Sequence, residues 1–107
     1  MDWTPVSGEQ FAKILSNEVS SLAPNVQRLY QQYNVKPYQL PCLRDQDSAL
    51  EQVFVLAKNG NRLLYFDDVE EDFGVATPDD DGVMREWGNY GPLVRALLVL
   101  DEEQPVG

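Results

Sequence analysis

The stretch EQVFVLAKNGNRLLYFDD, residues 51 to 68, decides the fold. Two runs rich in Val, Phe, Leu and Tyr flank Asn59-Gly60, a pair that accepts the positive φ angles of a tight hairpin turn. The reading is two antiparallel strands, near 51–58 and 62–68. Downstream, EDFGVATP predicts a third strand near 71–76. TPDDDG is then a turn in which Asp81-Gly82 supplies positive φ. VMREWG predicts a fourth strand near 83–88.

Upstream the period changes to that of a helix. Phe11, Ile14, Leu15, Val19 and Leu22 recur at helical spacing after Ser7 and Gln10, which fit a capping box, so a helix is expected near 7–22. Pro24 suits the first turn of a second helix near 24–33, whose stripe is Val26, Leu29, Tyr30 and Tyr33. Asn34 can cap it, and Pro37 prevents continuation. PYQLPCLRD must be extended, and its prolines bar it from a central strand, leaving a loop or edge segment. NYGPLVRALLVL predicts a closing helix near 91–100. Residues 101–107 read as a frayed tail, because Asp101, Glu102 and Glu103 oppose the macrodipole. The expected fold class is α+β in a single domain over 1–107. Two N-terminal helices and one C-terminal helix cover one face of an antiparallel meander of about four strands.

Composition narrows the function. The 107 residues carry a net charge of −10, with a hydrophobic fraction of 43%. Such a chain folds as a globule, is repelled by nucleic acid and anionic membranes, and attracts basic surfaces. Cys42, the single cysteine, has no disulfide partner within the chain and reads as a small buried hydrophobe. MDWTPVSGEQ has neither a basic n-region nor an apolar h-region, and LLVL at 97–100 is far too short to span a bilayer. A cytoplasmic protein is expected.

The acids concentrate in YFDDVEEDFGVATPDDDG, residues 65 to 82, where eight carboxylates occur without a basic residue. The nearest metal motif is the EF-hand loop. Aligning Asp81-Gly82 with it puts Thr77 at its first position and Gly88 at its twelfth, so both charged anchors are missing. Zinc finds no histidine and only one cysteine. Catalysis lacks its commonest base, and no nucleotide-binding glycine loop, P-loop or G-x-S-x-G is present. Paired carboxylates can cleave glycosides, but short loops leave little room for a sugar cleft. The expectation is no enzyme activity, no metal and no cofactor.

Charge runs are usually solvated faces that discourage strand aggregation. Two features favour a binding surface instead. Uncompensated acids cost self-repulsion. Aromatics also interleave with them, as at protein interfaces. Half or more of Tyr65, Phe66, Phe73 and Trp87 belong to the core, and Trp87 reads first as core. The candidate partner-binding set is Tyr65, Asp67, Asp68, Glu70, Glu71, Asp72, Asp79, Asp80, Asp81 and Trp87.

LLYFDDVEEDFGV and DDDGVMREWGNYGPLVRALLVL together show an acidic strand, a D-G turn, a strand with a Trp and a closing L-x-x-A-L helix. Over roughly residues 60–100 this order resembles the C-terminal half of small bacterial immunity proteins. Those proteins neutralise polymorphic toxins delivered by type VI secretion or contact-dependent inhibition. The resemblance implies a non-enzymatic cytosolic inhibitor of one cognate toxin, covering a basic active-site cleft with an acidic surface. The alternatives are an acidic nucleic-acid mimic, of anti-restriction or anti-defence kind, and a structural or adaptor domain. A mimic spaces phosphate-like charge along an extended surface, whereas the sequence concentrates its acids.

Overall fold

A computed structural model describes residues 8–43, 50–67, 71–78, 82–85 and 89–102. The elements are α1 (Gly8–Ser20), α2 (Pro24–Tyr33), β1 (Asn34–Leu43), β2 (Leu50–Asn59), β3 (Arg62–Asp67), β4 (Asp72–Ala76), β5 (Met84–Arg85), β6 (Asn89–Gly91) and α3 (Leu93–Asp101). The class is α+β. One sheet runs in the order β5-β1-β2-β3-β4-β6, antiparallel from β1 through β6, with the two-residue β5 parallel to β1.

The helix and hairpin expectations hold, with physical adjustments. Ser7 of the expected capping box lies outside the described residues. Pro24 opens α2 and Asn34 is its C-cap, its N–H donating to the Tyr30 carbonyl. The turn between β2 and β3 is one residue later than Asn59-Gly60 suggests. Asn59 pairs with Arg62, and the two-residue loop is Gly60-Asn61. Only Gly60 of that loop has positive φ, at 63°, as expected when glycine takes the first central position. Gly82 carries the positive φ expected of it, at 78°.

One stretch is decided between its two alternatives and one element differs from the sequence reading. PYQLPC, read as a loop or an edge segment, lies in β1 next to the sheet edge. It is tolerated because only Cys42 and Leu43 take β5 on their outer side. Pro37 sits in an irregularity, where Asn34 to Tyr38 on β1 opposes only Ala57 to Val55 on β2. Of the fourth strand expected over 83–88, Met84–Arg85 is a strand that pairs with β1 rather than extending the meander, and residues 86–88 lie outside the described residues. The meander is completed instead by β6. Gly91, at φ 83°, ends that strand, and Pro92 caps α3, so the helix begins at Leu93 rather than at 91.

Alternation on the central strands builds two layers. Phe54, Leu56, Leu64, Phe66, Phe73 and Val75 face the helices and pack with Phe11, Leu15, Leu93, Ala96, Leu97 and Leu100. Phe11 stacks on Phe54 at 4.5 Å between centroids, and Phe66 bridges Phe11 and Phe73. The opposite face is also buried. Val53, Val55, Leu63, Tyr65 and Ala76 form a second cluster there, against which Val35 and Leu40 pack. A bulge between Val55 and Ala57 resets the alternation, so that Leu56 and Ala57 both join the helix-side core.

Polar side chains tie the helices down. Gln27 Nε2 donates to the carbonyls of Val19 and Leu22 at the end of α1, at 3.2 and 3.0 Å. Arg62, on the helix side of β3, is buried and donates to the carbonyls of Val99, Leu100 and Glu102. Asn59 Nδ2 donates to the Leu100 carbonyl at 2.8 Å. The guanidinium supplies the cation that the C-terminus of α3 favours. Asp101 is therefore the last residue of α3 rather than tail, and its carboxylate accepts from the Tyr33 hydroxyl at 2.5 Å.

Candidate functional site

The β3–β4 hairpin carries the first half of the acidic stretch. Asp67 ends β3 and lies directly opposite Asp72, which begins β4. Directly opposed side chains share a face of the sheet, their Cβ atoms about 5 Å apart, and like charges so placed are destabilising. The two residues are not equivalent. Asp67 is only 2% exposed, whereas Asp72 is half-buried and Glu71 is exposed. Glu71 has a φ of 56°, and it is the one non-glycine residue with positive φ among those described.

Two members of the candidate set are corrected by burial. Tyr65 is 1% exposed and belongs to the second core cluster, and Asp67 is 2% exposed at the end of β3. Alternation on a central strand turns both side chains inward, out of reach of a binding protein. Glu71 and Asp72 remain at the surface. Asp68, Glu70, Asp79, Asp80, Asp81 and Trp87 lie outside the described residues.

The described residues that flank the two acidic groups stand at different ends of β4. Asp72 opens β4, while Pro78 and Gly82, which bracket Asp79, Asp80 and Asp81 in sequence, line a groove with Gly60 and Asn61 at the β2–β3 turn. Strand β4 spans roughly 16 Å between these ends. The groove at the β2–β3 end measures about 390 Å³ and includes Tyr38, Leu40, Lys58 and Leu63.

At the β3–β4 end a smaller pocket of about 260 Å³ lies between α1 and the hairpin, lined by Ile14, Glu18, Phe66, Glu71 and Phe73. Its floor is apolar and two carboxylates line it with that floor. Glu18 is the residue that reading the sequence missed. Ile14 and Glu18 are one helical turn apart on α1, which places them on one face. Nothing local in sequence says that this face meets the β3–β4 turn.

The three tyrosines of the N-terminal half are placed differently from one another. Tyr38 is 40% exposed on β1. Tyr30 packs against the helix-side core; burial raises its pKa and the hydrogen bond with Asn34 opposes this. Tyr33 donates to Asp101, and that bond, assisted by burial and the carboxylate's charge against Arg62, raises its pKa.

Among the described residues no group of three or more His, Cys, Asp or Glu side chains converges to hold a metal ion. Among them, too, no helix is long and apolar enough to cross a membrane. The chain matches no model of a known protein family, no curated protein and no solved structure.

Proposed function

We propose that this chain is a non-enzymatic inhibitor that binds a basic protein partner through the acidic β3–β4 end. Concretely, it is an immunity protein that neutralises a bacterial toxin domain in the cytoplasm. The observation that carries the reading is the hairpin end itself. Glu71 and Asp72 stand at the surface, beside Asp68 and Glu70 in sequence. No Lys or Arg occurs from residue 63 to residue 84. A left-handed Glu71 costs stability, and carboxylates opposed across strands repel each other. Binding a basic cleft offsets that cost and speeds encounter by electrostatic steering. No cofactor or metal enters this reading.

The test is affinity purification of the protein with its bound partner from the native cells, followed by inhibition of whatever activity that partner has. A basic partner whose activity is blocked stoichiometrically supports the reading. A neutral or acidic partner, or a basic one left fully active, contradicts it.

The nucleic-acid mimic gains from one observation. Asp72 opens β4, and Pro78, which precedes Asp79 in sequence, follows its far end. Charge spread over such a length suits an imitation of a phosphate backbone. Competition separates the two readings: a mimic is displaced from its partner by duplex DNA or RNA, and by many sequences equally.

A further inference from the structure

We propose that the pocket between α1 and the β3–β4 hairpin receives a single Lys or Arg side chain of a basic protein partner. This inference rests on the basic-partner reading above and names where that partner is anchored. At about 260 Å³ the pocket is below the roughly 300–1,000 Å³ typical of sites for whole small molecules. Its chemistry is divided in the way a long cationic side chain is divided. Phe66 and Phe73, held at 5.1 Å between ring centroids, and Ile14 of α1 give an apolar floor for a methylene stem. Glu18 and Glu71 supply carboxylates for the charged head, and ionised pairs give the shorter, stronger hydrogen bonds. An anion is repelled from this site, and a neutral apolar side chain leaves both carboxylates without a cation.

The two acids come from different elements, a helix and a hairpin turn, so the pocket depends on α1 docking against the sheet. Stacking of Phe11 on Phe54 and its contact with Phe66 fix that docking. The floor is preformed: Phe66 and Phe73 are buried in the helix-side core. A partner side chain therefore meets a rigid base, and little ordering cost falls on this protein.

The experiment uses the full chain and N-acetyl-arginine amide as the probe, with N-acetyl-citrulline amide as its uncharged isostere. Nuclear magnetic resonance follows the Ile14 methyl groups and the Phe66 and Phe73 rings. The expected result is saturable shifts at these three residues with the arginine amide and none with the citrulline amide. Paired replacement Glu18→Gln with Glu71→Gln weakens the arginine effect about fivefold, whereas Glu9→Gln, on exposed α1 surface outside the pocket, leaves it unchanged. Equal response to both probes, or an arginine response undiminished by the paired replacement, overturns the proposal. The two levels of the reading fail separately. A basic partner that the paired variant binds more slowly but releases at an unchanged rate removes the pocket and keeps the function. Arginine in the pocket with no basic partner in the cell removes the function and keeps the pocket.

Discussion

The two hairpins of the sheet spend their polar residues in opposite ways. At the β2–β3 end, Asn59 and Arg62 turn inward and satisfy the carbonyls of Val99, Leu100 and Glu102 at the end of α3. Gly60 takes the left-handed position without a Cβ to strain it. At the β3–β4 end, a glutamate occupies the left-handed position and two aspartates oppose each other across the strands. The first hairpin is built as a cap and places glycine at its left-handed position. The second departs from local preference twice within six residues, and such departures are expected where a surface serves something other than folding.

Replacing Arg62 tests the first half of this contrast and carries the largest effect. Arg62→Met keeps the bulk but leaves buried carbonyls of α3 unsatisfied, and a loss of about 3 kcal/mol is expected in urea unfolding. A loss below about 1 kcal/mol would show that the β2–β3 end is not the anchor. The second half predicts the opposite sign. Glu71→Gly removes a left-handed Cβ and should stabilise by about 0.5–1 kcal/mol. Asp72→Asn relieves the pair with Asp67 and should stabilise by about 0.5 kcal/mol. Destabilisation by both changes would mean that the β3–β4 end is itself a structural device, and the contrast would collapse.

The smallest effect concerns the tie between α2 and α3. The folded pKa of Tyr33 is raised by its bond to Asp101, so the stabilisation it brings is complete below the unfolded tyrosine pKa near 10 and is lost as pH rises through the folded value. Tyr33→Phe should therefore lower stability slightly at pH 8. The gap to the parent should close in strongly alkaline solution, where Tyr30 titrates in both proteins. A gap that stays constant with pH would remove the hydroxyl–carboxylate bond from the account.

Reading the sequence succeeds where a signal is local. Pro24 marks the start of α2, and the runs around Asn59-Gly60 mark β2 and β3. It falls short where the deciding interaction is distant. The prolines at 37 and 41 correctly bar a central strand, but only the register with β2 reveals that an irregularity at Pro37 leaves room for a strand at all. Three residues of β6 are too few to carry a period, and Gly91 was absorbed into the predicted helix. For the site, charge alone picks out the acids, yet it cannot separate buried Asp67 from exposed Glu71, because alternation on β3 depends on which faces are covered. Glu18 was invisible for the same reason, since its meeting with Glu71 arises from packing of α1 on the sheet.

The central claim is that exposed Glu71 and half-buried Asp72 at the β3–β4 end serve a basic partner. It is tested most directly by the association rate of the partner recovered from native cells, measured by stopped flow at low and high salt. The parent is compared with the variant carrying Glu71→Gln and Asp72→Asn. Asp67 is left untouched because it is buried. The account predicts slower association of the variant at low salt, a flatter salt dependence, and rates that converge at high salt. Identical rates and identical salt slopes for the two proteins would contradict it, and would reduce the acidic hairpin to a solvated edge.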